Sequence, residues 1–117
     1  MKKNVIKEKS FEFGKRIVRL CIYIEMNKKE FVLTKQLKRS GTAPGALVRE
    51  AEHAESLNDF IHKMNIALKE ANETDYWLHM VKEGNYLSQQ EFDSIYSDCK
   101  EIIKILAAIV KSSKNKR

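Results

Sequence analysis

Proline and glycine are scarce in this chain. One proline and four glycines in 117 residues leave too few turn-formers for a loop-rich β fold. Cysteine is equally sparse. Cys21 and Cys99 share no metal-ligand spacing and sit in apolar helical stretches, which reads as two buried reduced thiols rather than a disulfide or a nucleophile. Long apolar runs are missing too. The most apolar stretch, Ile102 to Val110, is interrupted by Lys104 and falls well short of the ~20 residues a membrane span needs. The start, MKKNVIKEKSFEF, is basic but has no apolar core of a signal peptide, so a cytoplasmic location without membrane contact is expected.

Recognisable reaction centres are absent as well. No two of His53, His62 and His79 have the four-residue spacing that puts two imidazoles on one helical face. Asp75 and His79 do stand four apart. Glu50 and His53 form one Glu-x-x-His, but the last helix offers no counterpart, so no metal or other cofactor is expected. There is no P-loop, dinucleotide-binding glycine pattern or nucleophile elbow. Ser40-Gly41-Thr42-Ala43-Pro44-Gly45 lies inside a helical pattern and lacks the spacing of a phosphate cradle. No catalytic residue is assigned, and the chain does not read as an enzyme.

What is present is helical periodicity. Its length marks residues 1–117 as one domain, with residues 1–8 and 113–117 expected as flexible tails. Phe13, Ile17, Leu20 and Ile24 recur every three or four residues and predict a helix over about 10–26. Leu33, Leu37, Ser40, Pro44, Leu47, Ala51 and Ala54 predict a second over about 29–54. Pro44 stands inside it. The apolar period stays in phase on both sides, which favours a kinked helix over a broken one. The tiny residues around Pro44 let a neighbouring backbone approach closely. Ser56 and Asp59 form a capping box for a third helix over about 57–83, with Gly84 as its stop. Ser88 and Glu91 form another for a fourth over about 89–112. Four such helices joined by short turns predict an all-α, antiparallel up-down-up-down four-helix bundle. Ile66, Trp77 and Met80 lie off the core seam of the third helix, so they are the expected interface of a homo-oligomer.

Charge is the remaining signal. The chain carries a net charge of +6. Residues 1–20 hold seven Lys/Arg against two Glu, whereas residues 55–83 hold three against six acidic groups. The segments between and after are mildly basic. Lys35, Lys38 and Arg39 cluster on the second helix, with Lys28 and Lys29 before them and Arg49 two turns on. These six are the candidate contacts to an RNA or DNA backbone. Single-strand stacking motifs and helix-turn-helix spacing are missing, so the contact is expected to be electrostatic and weakly sequence-specific. A protein-interaction scaffold is the competing reading.

Several blocks resemble a known family. They are Gln36-Leu37, Arg39-Ser40, Thr42, Gly45-Ala46 and Glu50-Ala51, then Asp59-Phe60-Ile61-His62-Lys63, Ala67-Leu68-Lys69-Glu70-Ala71 and Glu73-Thr74-Asp75-Tyr76-Trp77-Leu78. Together they resemble the bacterial proteins encoded in intervening sequences of 23S ribosomal RNA genes, also labelled S23-like. Leu47 stands where that family usually has Asn, and Pro44 where it often has an apolar residue. The resemblance implies an up-down four-helix bundle, no known catalytic activity and often a homopentameric ring. It also implies kinship with the accessory variability determinants of diversity-generating retroelements, whose partners include nucleic acid and a reverse transcriptase. Gln36, Arg39 and Glu50 are implied to be polar residues of a helix pair.

Overall fold

A computed structural model describes residues 4–117 of the chain. Residues 1–3, with two of the lysines counted above and part of the expected tail, lie outside the described residues. Four helices follow one another: α1 (Val5–Lys28), α2 (Val32–Ala51), α3 (Leu57–Glu83) and α4 (Gln89–Lys114). Each packs on its neighbours in sequence, and α1 closes the ring against α4 with no diagonal pair. The bundle measures 47 × 26 × 22 Å. This is the architecture that the periodicity predicted.

The ends of the helices differ from expectation for local reasons. The α1 helix starts at Val5 rather than near Ser10, because the Asn4 side chain accepts from the Lys7 amide at 3.1 Å and Ile6 is buried in the core. Residues 5–8, expected as tail, are therefore its first turn. At the other end Lys29 adopts φ 55°, ψ 35°, a left-handed conformation that ends α1. The α2 helix thus begins at Val32 rather than Lys29. Its exposed amides are met by Glu30, whose carboxylate accepts from Val32, Leu33 and Thr34 at 2.9–3.1 Å. It also ends earlier, at Ala51, where the amides of His53 and Ala54 turn back to the carbonyls of Glu50 and Ala51.

The caps of α3 and α4 follow the sequence more closely. Ser56 Oγ accepts from the Asp59 amide at 3.0 Å, but Asp59 reaches back to the Glu55 amide at 3.1 Å rather than to Ser56. The Ser88–Glu91 box is reciprocal, at 2.9 and 3.1 Å. Gly84 follows the end of α3, yet the left-handed residue there is Asn85, at φ 60°. The Tyr86 ring folds over Gly84, and a Cβ at that position would fall 2.5 Å from it. The α4 helix extends past Ser112 to Lys114, carried by the buried Ser113.

Pro44 is buried and α2 runs through it unbroken. The tiny residues nearby explain how. A Cβ on Gly41 would sit 2.8 Å from Ile17 Cγ2, and one on Gly45 would sit 3.2 Å from the Ser10 carbonyl oxygen. The backbone of α2 therefore lies directly against α1. The core is built from Phe13, Ile17 and Ile24 of α1, Leu37 of α2, Met64 and Leu78 of α3, and Ile102 and Leu106 of α4. Ile61 of α3 is buried, whereas Ile22 of α1 is 46% exposed. Cys21 and Cys99 are free, buried thiols. No described helix is long and apolar enough to cross a membrane.

Candidate nucleic-acid interface

A helix as narrow as α2 has three neighbours to face: α1, α3 and solvent. Consecutive residues stand ~100° apart around the helix axis, so Lys38 and Arg39 face different neighbours. Lys38 Nζ lies 3.0 Å from Glu25 of α1. That hydrogen bond, with help from Thr34, holds the Glu25 carboxyl below its usual range. Arg39 turns the other way. Its guanidinium donates to Glu70 of α3 at 3.1 Å, to Glu73, and to Gln36 at 3.3 Å. The expected basic strip is therefore divided, and two of its cations are already engaged by carboxylates.

The other candidates lie apart. Lys28 and Lys29 are exposed at the α1–α2 turn, and Lys35 is exposed on the first turns of α2. Glu91, at the start of α4, is held below the usual carboxylate range by its hydrogen bonds to Ser88, and the charge of Lys28 adds to that effect. Arg49 projects toward α1 and places its guanidinium 4.9 Å from the centre of the Phe11 ring. Lys15 Nζ stands 4.7 Å from the same centre.

Phe11, Lys15, Arg19 and Arg49 border a groove of about 500 Å³ between α1 and α2, floored by Val18, Gly45 and other small residues. Sequence reasoning missed the α1 half of this groove. The signal existed: Phe11, Lys15 and Arg19 recur every four residues and share a face of α1. Their meeting with Arg49 depends on the close α1–α2 contact at Gly41 and Gly45.

The expected interface residues Ile66, Trp77 and Met80 are each half-buried within the protomer. The Trp77 ring packs on the core and its indole N–H donates to Glu73 at 2.9 Å. Beside them Tyr76 is 55% exposed and meets the Trp77 ring edge-on at 5.0 Å, but the most exposed apolar side chains lie elsewhere. They include Met26 and Val32, 67% and 74% exposed, with Ile22, Tyr23 and Phe31 around them at the α1–α2 end.

Asp75 and His79 do come together, at 3.1 Å, and the Tyr96 hydroxyl donates to Asp75 at 3.3 Å. Burial, then Asp75, pushes the Tyr96 phenol up. The neighbouring Cys99 thiol is pushed up to about 12 by burial and by Asp75, so it stays protonated and is a poor nucleophile. Among the described residues no three His, Cys, Asp or Glu side chains converge as a metal site would require.

The model of the 23S rRNA-intervening sequence protein family matches residues 2–108. The chain belongs to this family. Its bundle is similar to the crystal structure of a protein of unknown function from the S23 ribosomal protein family of Bacteroides thetaiotaomicron VPI-5482. The two are 52% identical, with a TM-score of 0.91, and the match covers 95% of this chain and 99% of that one. Comparison with curated proteins gives no match.

For this 23S rRNA-intervening sequence family member, the blocks that carry the resemblance have a structural role. Gln36, Arg39, Glu70, Glu73 and Trp77 form one hydrogen-bonded network between α2 and α3. Lys63 of α3 stands 3.8 Å from Glu50 of α2. Leu47, where Asn is usual, packs half-buried against the core.

Proposed function

We propose that the chain is a non-enzymatic, oligomeric bundle protein that binds RNA or DNA electrostatically through the basic face of α1 and α2. The observation that carries this reading is the distribution of unpaired arginines. Arg16 is paired with Asp98 at 2.5 Å, and Arg39 with Glu70 and Glu73. Among the described residues Arg19, Arg49 and Arg117 have no carboxylate within ion-pair distance. Arg117 donates to Asn58 at the far end of the chain. Arg49 adds to the Lys7 hydrogen bond that holds the Glu52 carboxyl down, while Arg19 and Arg49 both border the α1–α2 groove. Arginine left unpaired on an exposed face suits phosphate, which it binds in a bidentate fork. The net charge of +6 supports the same partner class. Lys28, Lys29 and Lys35 extend the positive field along the pair, while Lys38 and Arg39 serve the fold.

Fluorescence anisotropy across a salt series tests this. Affinity is expected to fall steeply between ~50 and ~200 mM salt, as counterion release demands. Absence of binding at ~50 mM, or affinity indifferent to salt, would sink the proposal.

A scaffold or accessory-subunit role, with a reverse transcriptase as the class of partner that the family resemblance suggests, is the second reading. The exposed cluster of Ile22, Tyr23, Met26, Phe31 and Val32 favours it. A monomer rarely leaves such a group wet, and a further copy of the chain is the occupant we assign, with a pentamer as the expected assembly. Light scattering on Ile22→Glu/Met26→Glu tests that interface: a drop in mass with helicity intact supports it, and an unchanged mass removes these residues from it, while absence of nucleic-acid binding by the wild type is what favours the scaffold role.

A further inference from the structure

The α1–α2 groove combines features that a phosphate backbone alone does not call for. Phe11 is 45% exposed at its edge, although burying a phenylalanine is ordinarily favourable. Two cations stand over its ring, Lys15 at 4.7 Å and Arg49 at 4.9 Å. The floor beneath, at Val18 and Gly45, is apolar and shallow because small residues hold the two helices close. Arg19 stands two turns from Phe11 on the same helix. A half-exposed aromatic ring held under two mobile cations, an apolar floor and arginines without a carboxylate partner are thus gathered in about 500 Å³, a volume within the range of sites that hold an organic ligand.

We infer that this groove is a single-strand subsite in which an unpaired base stacks on Phe11 in place of the cations that stand over its ring, while Arg19 and the displaced Arg49 hold the flanking phosphates. The inference rests on the nucleic-acid reading above and narrows it. A single strand joins a flat π-surface to an anion at every nucleotide, the spacing that stacking grooves with basic borders use. A duplex keeps its base faces stacked inside, so it would occupy the arginines and leave Phe11 and the floor wet. An acidic peptide without aromatic residues would satisfy the arginines and leave Phe11 unmet, and one with them is an arm of the test. Lys15 is tethered to Glu12 at 2.9 Å and is the cation least free to meet phosphate. The binding strength therefore falls to Phe11, Arg19 and Arg49.

The test uses the full chain with a single strand of about 12 nucleotides carrying 2-aminopurine, and its matched duplex, a length within the range of known single-strand grooves. The single strand is expected to bind at least tenfold tighter than the duplex, with 2-aminopurine fluorescence quenched by stacking. Phe11→Ala is expected to lose about tenfold or more for the single strand, as base–aromatic stacking loses on truncation, and nothing for the duplex. Phe11→Tyr should retain the affinity. Circular dichroism confirms that both variants fold, which exposure of the site favours. Equal affinity for both nucleic acids, or a silent Phe11→Ala, would overturn the subsite while salt-dependent binding kept the broader function standing. Loss of all salt-dependent binding would remove both. An acidic Glu/Tyr peptide of equal charge that binds as tightly as the single strand would reassign the groove to a protein partner.

Discussion

The hydroxyls of Ser40 and Thr74 are hydrogen-bonded at 3.0 Å, fully buried between α2 and α3. Thr74 also donates to the Glu70 carbonyl at 2.8 Å. A hydroxyl carries one proton, so Thr74 has two acceptors to choose from and Ser40 has one neighbour. Thr74→Val is expected to lower stability by about 1–3 kcal/mol, since it strands the Ser40 hydroxyl in the core. Ser40→Ala should cost only about 1 kcal/mol, because Thr74 keeps its bond to Glu70. Urea unfolding at constant m-value measures both, and a reversed order would contradict the assignment.

The close α1–α2 contact makes two glycines behave oppositely. Gly41→Ala would drive a methyl into Ile17, which is fully buried and unable to yield. The overpacking costs about 1–3 kcal/mol, and better helix propensity returns at most about 1. At Gly14 the nearest foreign atom would stand 3.8 Å away, an ordinary contact. Gly14→Ala is therefore expected to be neutral or to stabilise by up to about 1 kcal/mol. Melting temperatures that shift in the same direction for both would refute this account.

Burial pushes the Cys21 and Cys99 thiols up to about 12. An unfolded thiol titrates near pH ~8.5. Both residues keep their protons in the fold after the unfolded chain has lost its own. Their stabilising contribution is thus complete below pH ~8.5 and declines as pH rises toward about 12. Unfolding midpoints between about pH 8 and 11 should fall for the wild type and fall less for Cys21→Ala/Cys99→Ala. In the native protein at about pH 8, thiol reagents should label neither residue until urea is added. Rapid labelling of either one without urea would mean that its burial is not maintained.

The division of basic residues into fold and surface roles predicts a contrast. Arg39→Ala breaks partly exposed ion pairs and should cost no more than about 1 kcal/mol, with little change in affinity for RNA or DNA. Arg49→Ala should leave stability nearly unchanged and lower the salt slope of single-strand binding by about 0.7, the decrement for one phosphate that is no longer neutralised. Titrations of both variants over a salt series check the pair. An Arg39→Ala protein that folds normally and loses the most affinity would return the site to the Lys35, Lys38 and Arg39 strip.

Period and punctuation alone determined the architecture. Four seams at helical spacing, with Ser56 and Ser88 caps and few turn-formers, admit little besides an up-down bundle, because each apolar stripe must be covered by another. Helix ends were less legible where the decisive residue was atypical. Nothing in Lys29 announces a left-handed conformation, and Glu30 caps α2 without being a usual cap residue. The candidate site was legible only in part. Lys38 and Arg39 are adjacent in sequence, yet the helix sends them to carboxylates on opposite neighbours, Glu25 and Glu70. Arg49 and Phe11 are distant in sequence, and they meet because Gly41 and Gly45 let α2 lie against α1. Composition sets how much charge the chain carries. Which charges neutralise one another and which remain free depends on the packing of helix against helix, and that is decided only in three dimensions.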